Sequence, residues 1–530
     1  MSYLQNIQSA VTADAATLYW ERGLEDNPYC VYYKVWPGDG QQTEVTKTHV
    51  TLEGLQPDTE YTVKIEAVGL VGLNEYGYPD LGFDTGLGFR VGGTEVKVFA
   101  SETVRFRTAV RKRRVDVTQA PYFAKGDGVS MNTAAIQRAF DDCTAADALY
   151  FPAGVYLTGA LRLHSDMEIY LDENAVLQGT ADPLDYLPKI PSRFEGTEME
   201  CYASLLNMGT LDHAAGANCR NVLVHGKGTI ASGGQELALA VIQAERERLK
   251  DYLEQLGEGI KEYENDHTIP GRARPRLINM SNCSNVRISG LTLQNGASWN
   301  VHMIYSDHIL TDNCIVRSEN VWNGDGWDPD SSEDCTLFGC VFYTGDDSVA
   351  VKSGKNPEGN RINRPTRHIR IFDCTCMAGQ GITLGSEMSG GIEDVRIWDC
   401  DMSNGKYGVE IKGTKKRGGY VQDIHVSDCT LPNIQFHAVG YNDDGEGAPT
   451  PPKFSDCSFR RIHLLGVCRS LEGEYQDCDS IELAGFDEPG YEIRGIKFED
   501  ITMAGGGGRI SMRRCKDIDF SGVSAGKSRS

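Results

Sequence analysis

From about residue 282 the chain repeats one phrase. NCSNVRISGLTLQN, TRHIRIFDCTCMAG, IEDVRIWDCDMSN, VQDIHVSDCTLPN and IRGIKFEDITMAG share a polar turn, an apolar alternation, an Asp or Asn, and a second short strand. Cys374, Cys400 and Cys429 hold equivalent positions at a period of about 26 residues. A repeat of that length marks a solenoid, because one such coil cannot bury its inner face alone and stacking supplies the core. The strands are short and no helices separate them. The pattern therefore predicts an all-β fold, a right-handed parallel β-helix, over residues 121–530.

The repeat also explains the 16 cysteines. Most sit in contexts such as DNC, EDC, FGC, FDC, WDC and SDC, where stacking aligns them in a ladder of reduced thiols that pack as small hydrophobes. No CxxC pair with zinc-type partners occurs, so no metal is expected. NTAAIQRAFDDC reads as an amphipathic helix starting near Asn132, with Ala135, Ile136 and Phe140 on one face, and would cap the open N-terminal end of the core. Residues 235–264 break the repeat with a strongly helical insertion, in which Leu249, Leu253, Leu256, Ile260 and Tyr263 recur at helical spacing. That stripe is expected either to lie on the solenoid wall, or to form a lip at the site or a contact in a homo-oligomer.

Residues 1–110 differ. ATLYW, YCVYYKVW, LEGLQPDTEYTVKIEAVG and TVRFRT are short alternating strands separated by turns, the pattern of a β-sandwich. Residues 111–120, opening on RKRR, are expected to be a solvated linker. A net charge of −23 argues against a nucleic-acid partner. No apolar run reaches the length of a membrane span. The N-terminus MSYLQNIQSAVTADAATLYW has no basic region followed by an apolar one, which gives a cytoplasmic expectation, or secretion if a signal has been trimmed.

The chemistry concentrates in NGDGWDPDSS and TGDDSVAVK, about one coil apart. Successive coils of a parallel sheet lie about 4.8 Å apart, so Asp325 should stand beside the Asp346–Asp347 pair. Crowded and partly buried carboxyls raise each other's pKa, which costs stability and serves proton transfer. Taken alone, the same residues also fit a calcium site or a solvated acidic turn.

NGDGWDPDSS, TGDDSVAVKSGKN, GQGITLGSEMSGG and YGVEIKGTKKRGG, in that order and after RPRLINMSNCSNVRISGLTLQNGASWNVHM, resemble the four motifs of glycoside hydrolase family 28, the polygalacturonase family. The likeness runs from about residue 115 to the end and is nearest the bacterial exo-acting variety. The first segment is similar to a fibronectin type III domain, with Trp20 as the buried strand tryptophan and Tyr61 as the corner tyrosine.

The resemblance implies a pectin-lyase-like β-helix that hydrolyses α-linked galacturonic acid in pectic oligosaccharides with inversion and without a cofactor. Asp346 would be the general acid. Asp325 and Asp347 would hold and deprotonate the attacking water. Asn323, Lys352, Gln380, Glu387, Glu410, Lys412, Arg417 and His302 would bind substrate, with Trp299 and Trp327 as candidates to stack on a sugar. Two positions depart from the family pattern. Gly379-Gln380-Gly381 stands for Gly-His-Gly, and Glu410-Ile411-Lys412 for Arg-Ile-Lys. The second removes a bidentate grip on a sugar carboxylate, leaving Lys412, Lys415, Lys416 and Arg417 as the local basic cluster. Both departures point to a galacturonate with a different neighbour, such as rhamnose, or to another α-linked sugar. The rival expectations are an inactive carbohydrate-binding β-helix and a polysaccharide lyase.

Overall fold

The computed structural model describes residues 3–23, 32–37, 42–73, 79–80, 94–263, 265, 267–504 and 508–525. Tyr29–Val31 of the expected YCVYYKVW strand, with Cys30, lie outside the described residues, as does residue 264 at the end of the helical insertion. The chain forms two compact units, Met1–Arg113 and Arg114–Ser530.

In the first unit Ala15–Glu21 pairs antiparallel with Gln5–Val11 and His49–Glu53. The facing sheet places Glu60–Leu73 between Tyr32–Pro37 and Thr94–Arg107. Alternation sends Ala16, Leu18 and Trp20 inward against Tyr33, Val35, Val63 and Ile65. The Trp20 ring meets Tyr33 edge-on at 5.0 Å. The Tyr61 hydroxyl accepts a hydrogen bond from the Gln56 N–H at 2.8 Å, pinning the turn before its own strand.

The second unit is a parallel β-helix. Among the described residues its coils contribute strands to a thirteen-stranded sheet, an eleven-stranded sheet, and an eight-stranded sheet followed by a four-stranded one. Single bridges at Asp401 join the last two. One register column runs Val286, Ile309, Cys335, Ile369, Val395, Ile424, Cys457, Ile496. Every member is buried, and each full burial of such an aliphatic side chain contributes about 1.5–3 kcal/mol. Phe338, Phe372 and Trp398 stack at 4.8 and 4.3 Å, close to the separation of the coils themselves.

The Asp/Asn-Cys dipeptides of the repeat have a backbone cause. Asn313, Asp373, Asp399 and Asp428 all adopt left-handed backbone, with φ of 54°, 49°, 55° and 55°. Asn and Asp tolerate that conformation better than other side chains with a Cβ. It turns the corner and delivers Cys314, Cys374, Cys400 and Cys429 into the core. The described cysteines are free thiols. The Cys400 N–H lies 3.4 Å from Cys429 Sγ, one coil on.

The helix Thr133–Asp141 buries Ile136, Ala139 and Phe140 at the N-terminal end of this core, as its periodicity requires. One expectation needs correction, and the insertion is helical as expected but docks through an earlier set of residues. Arg113–Asp116, placed in a linker, is the edge strand of the thirteen-stranded sheet, because Val115 and Val117 pack on the core and Arg114 covers the Tyr150 ring. In the insertion, the helix Gly234–Arg248 docks through Leu237, Ala238, Val241 and Ile242, whereas the following helix Lys250–Leu256 buries nothing. The stripe from Leu249 to Tyr263 is only half-buried, since the chain unwinds into a 3-10 turn at Gly257–Glu262 before the spacing can form one long face.

Candidate active site

The eleven-stranded sheet carries the site on its outer face. Trp327–Asp330, Val349–Val351, Ile382–Leu384, Val409–Gly413 and Ile434–Ala438 are consecutive strands in it. Their inward residues, Trp327, Val349, Ile382, Val409 and Ile434, belong to the core. The alternate residues point outward, and register aligns Thr383 with Glu410 and Lys412 with His437. The three aspartates sit in the turns just before these strands. The Gly326 N–H donates to the Asp347 carbonyl at 2.9 Å, and the Gln380 N–H to the Asp346 carbonyl at 2.8 Å, so neighbouring coils are tied at that point. Two glycines permit the approach. A Cβ on Gly326 would stand 2.4 Å from the Ser348 carbonyl oxygen, and one on Gly379, whose φ is +115°, would stand 2.1 Å from Thr344 Oγ1.

Side-chain contacts knit the cluster. Lys352 Nζ lies 3.3 Å from Asp325 Oδ2 and 3.2 Å from Glu387 Oε2. Lys412 Nζ lies 2.9 Å from Glu410 Oε2 and 3.7 Å from Asp347 Oδ2. Thr383 Oγ1 donates to Asp347 Oδ1 at 2.6 Å. Gln380 Nε2 donates to Asp346 Oδ1 at 2.8 Å, and the Asp347 N–H to the same oxygen at 3.0 Å. Asp325 and Asp347 are buried, whereas Asp346 is partly exposed and is the most accessible of the three.

The electrostatics follow from this crowding. Burial and then the Asp347 carboxylate push Asp346 up to about 6, with Lys412 and Lys352 opposing. Burial drives Asp325 and Asp328 well above the usual carboxylate range against the pull of Lys352. Asp347 is raised by burial, with Lys412 opposing and Glu410 adding repulsion. Glu410 goes the other way. Burial disfavours its charge, but Lys412 and His437 outweigh that and hold it at about 2. Both lysines stay firmly charged, because the surrounding carboxylates overcome the cost of burying them.

Of the residues expected to form the site, Asp325, Asp346, Asp347, Lys352, Gln380, Glu387, Glu410 and Lys412 are brought together by these contacts. Asn323 stands at the rim, its Oδ1 accepting from Arg274 Nη2 at 2.7 Å. Four candidates are corrected. His302 is completely buried, with Nε2 3.3 Å from Asp330 Oδ2 and a pKa lowered by burial to about 4, so it lies beneath the groove and reaches no sugar. Trp327 has the inward parity of its strand and donates Nε1–H to Thr311 Oγ1 at 3.0 Å inside the core. Arg417 is fully buried and holds a loop, donating to the Ser386 and Asn442 carbonyls and to Asn356. Trp299 is also buried, stacked on Phe194 at 4.7 Å, with Lys352 Nζ 4.6 Å above its ring.

Sequence reading missed several members. Asp328 is buried outside the core, and among the described residues neither of its carboxylate oxygens meets a hydrogen-bond donor. Thr383 and His437 enter only through strand register, and His437 Nε2 pairs with Glu410 Oε1 at 2.7 Å. Tyr441, 42% exposed, has its ring centre 5.8 Å from Lys412 Nζ.

A wall bounds the site. The hairpin Ile190–Phe194 and Thr197–Cys201 crosses the sheet, with Ser192 Oγ donating to Asn279 Oδ1 at 2.8 Å and Arg193 Nη1 to Asp330 Oδ1 at 2.9 Å. Its tip is held by Arg272, which binds Glu195 Oε2 at 2.7 Å and, on the other side, Asp444 Oδ1 at 2.9 Å. Lys355 also binds Asp444, and its N–H donates to the Gly196 carbonyl at 3.0 Å. Four sequence-distant segments thus meet at the hairpin tip.

Comparison with known proteins agrees with this architecture. The model of glycosyl hydrolases family 28 matches residues 193–525, and that of the fibronectin type III domain matches residues 2–79. The chain is 32% identical over 344 residues to a probable polygalacturonase of Vitis vinifera, covering 62% of this chain and 63% of that protein. It is 27% identical over 387 residues to an exo-poly-alpha-D-galacturonosidase of Dickeya chrysanthemi, covering 68% and 64%. The matches therefore span a little under two thirds of these relatives' lengths. In fold it is similar to the Yersinia enterocolitica family 28 exopolygalacturonase, with a TM-score of 0.80 at 19% identity over 100% of this chain and 97% of that one. The Thermotoga maritima exopolygalacturonase gives 0.61 at 24% identity, over 78% and 92%. With a family match across well over half its residues and a β-helix to carry it, the chain belongs to glycosyl hydrolases family 28.

Proposed function

We propose that this protein is an exo-acting, inverting glycoside hydrolase that removes α-linked galacturonic acid from pectic oligosaccharides, either homogalacturonan or rhamnogalacturonan fragments. The observation that carries the reading is Asp346. It is the most accessible carboxyl of the cluster, and burial with the neighbouring Asp347 charge keeps it protonated up to a pH of about 6. An inverting glycosidase needs such an acid on one side of the bond and a carboxylate with room for water on the other.

Gln380 Nε2 and the Asp347 N–H both donate to Asp346 Oδ1, which leaves Oδ2 to carry the acidic proton. In the reaction, Asp346 Oδ2 gives that proton to the glycosidic oxygen as its bond to the anomeric carbon breaks. Water held by Asp325 attacks the same carbon from the opposite face and passes its proton to Asp347, whose carboxylate Lys412 favours. Asp325 Oδ1 is a buried acceptor with no protein donor among the described residues, while Oδ2 is held by Lys352, so the free oxygen can take a water hydrogen. Thr383 and Lys412 orient Asp347 in the same way. Lys352 and Lys412 limit the repulsion that would otherwise keep the whole cluster protonated.

We read the hairpin 190–201, tied through Arg272 to Glu195 and Asp444, as a wall that stops the groove at one end, which would admit a chain terminus and not a chain middle. The names of the two curated relatives support a galacturonate-containing substrate. The test is Asp346→Asn. Turnover of pectic oligosaccharides should fall by about 10²–10⁴-fold, the usual worth of a general acid, with binding retained. Full activity in that variant would discard the assignment.

A further inference from the structure

We propose that the sugar residue seated over Lys412 and Tyr441 is uncharged, with no free carboxylate. The inference deepens the glycosidase reading, and it rests on that reading only for a sugar being bound there.

The reason is charge already spent. Lys412 lies 2.9 Å from Glu410 and 3.7 Å from Asp347. Glu410 is 1% exposed and ionised down to about pH 2, so it neutralises the lysine at every working pH. His437, which could add positive charge, has its Nε2 turned 2.7 Å from the other Glu410 oxygen. Lys352 is shared by Asp325 and Glu387. Arg274, the other cation felt by the aspartates, uses Nε, Nη1 and Nη2 on the Gly271 carbonyl, the Trp322 carbonyl and Asn323 Oδ1. Lys412 therefore has no unmatched charge to offer a substrate anion, whereas Arg274 meets only neutral acceptors.

A carboxylate brought to Lys412 would therefore meet Glu410 and Asp347 behind it, in a site where burial strengthens repulsion. A neutral sugar meets no such penalty. Its apolar face can lie on the half-exposed Tyr441 ring, and its hydroxyl oxygens can accept from Lys412. Glu410 thus acts as a specificity-determining residue through Lys412, without itself touching the sugar.

The experiment uses oligosaccharides that share a terminal α-galacturonate and differ in the adjoining sugar: free galacturonate, its methyl ester, or rhamnose. Initial rates are measured with the wild-type chain and with Glu410→Gln. Dissociation constants are measured by calorimetry on Asp346→Asn. The expected result is a preference of at least tenfold for the ester or rhamnose neighbour, in binding and in KM. In Glu410→Gln, where Lys412 loses its nearest counter-charge, that preference should shrink at least tenfold through KM more than kcat. Equal or better use of the free acid by the wild type, or a ratio unmoved in Glu410→Gln, overturns the proposal. If that variant does not fold, the wild-type preference alone decides. If nothing is cleaved while the binding preference holds, the glycosidase reading fails and this inference stands. If Asp346→Asn binds none of the three, this inference fails.

Discussion

Gln380 Nε2 donates to Asp346 Oδ1 at 2.8 Å from the next coil of the solenoid. A donor to a carboxylate favours its ionised form. Gln380 therefore works against burial and Asp347, which hold Asp346 at about 6. Activity requires the protonated acid and should decline as pH rises through that value. Gln380→Leu removes one hydrogen bond of about 1 kcal/mol, equivalent to roughly 0.5–1 pH unit. The alkaline limb of kcat/KM should move up by that amount. An unmoved limb would mean that another group titrates there.

Lys412 is the strongest cationic influence on both Asp346 and Asp347. Lys412→Met should raise both pKa values, so the acid and alkaline limbs of the pH–rate profile shift upward together. It also takes from Glu410 its lysine, leaving His437 and Thr383 as partners, so the cost stays below the roughly 3–5 kcal/mol typical of stranding a buried charge. Thermal unfolding should report that loss, and a pH profile that keeps its position would refute the coupling.

Arg272 joins the hairpin tip at Glu195 to Asp444, the wall to which exo action is assigned. Arg272→Ala should loosen that wall while leaving the aspartates untouched. Product profiles from a long pectic chain should change from release of the terminal sugar alone to a mixture of lengths. An unchanged profile would place the origin of exo action elsewhere.

The crowded acid has a stability cost. The folded Asp346 pKa of about 6 lies above its ordinary value of 3.8, so the folded state holds its proton more tightly than the unfolded state. Stability is then lost as pH rises from the unfolded value through the folded one. Asp346→Asn should raise the melting temperature above pH 6, by on the order of 1–2 °C, and change it little near pH 4. A variant destabilised at pH 8 would contradict this.

The fold was legible because its cause is local and repeated. An Asp or Asn that turns left-handed before each inward Cys writes the coil length into the sequence, as at Asp373-Cys374 and Asp399-Cys400. Asp325, Asp346 and Asp347 were legible because they fall in turns one coil apart. Thr383, Glu410 and His437 meet only through the register of stacked strands, so their pairing required the structure. His302 has an outward position in its strand, and no pattern near it signals that a hairpin a hundred residues upstream would seal it in. Trp327 and Asp328 could have been separated by parity alone, since adjacent strand residues take opposite faces. The insertion was legible as helix, but its helical spacing continues through Leu249–Tyr263, whereas its docking surface is the earlier set at Leu237–Ile242.

The central claim is that Asp346 protonates the leaving oxygen while Asp325 and Asp347 deliver water to the opposite face. Time-resolved proton NMR of a pectic oligosaccharide, begun before the product equilibrates in solution, reads that geometry directly. The account predicts that the released galacturonate appears first as the β-anomer. First appearance of the α-anomer would contradict it.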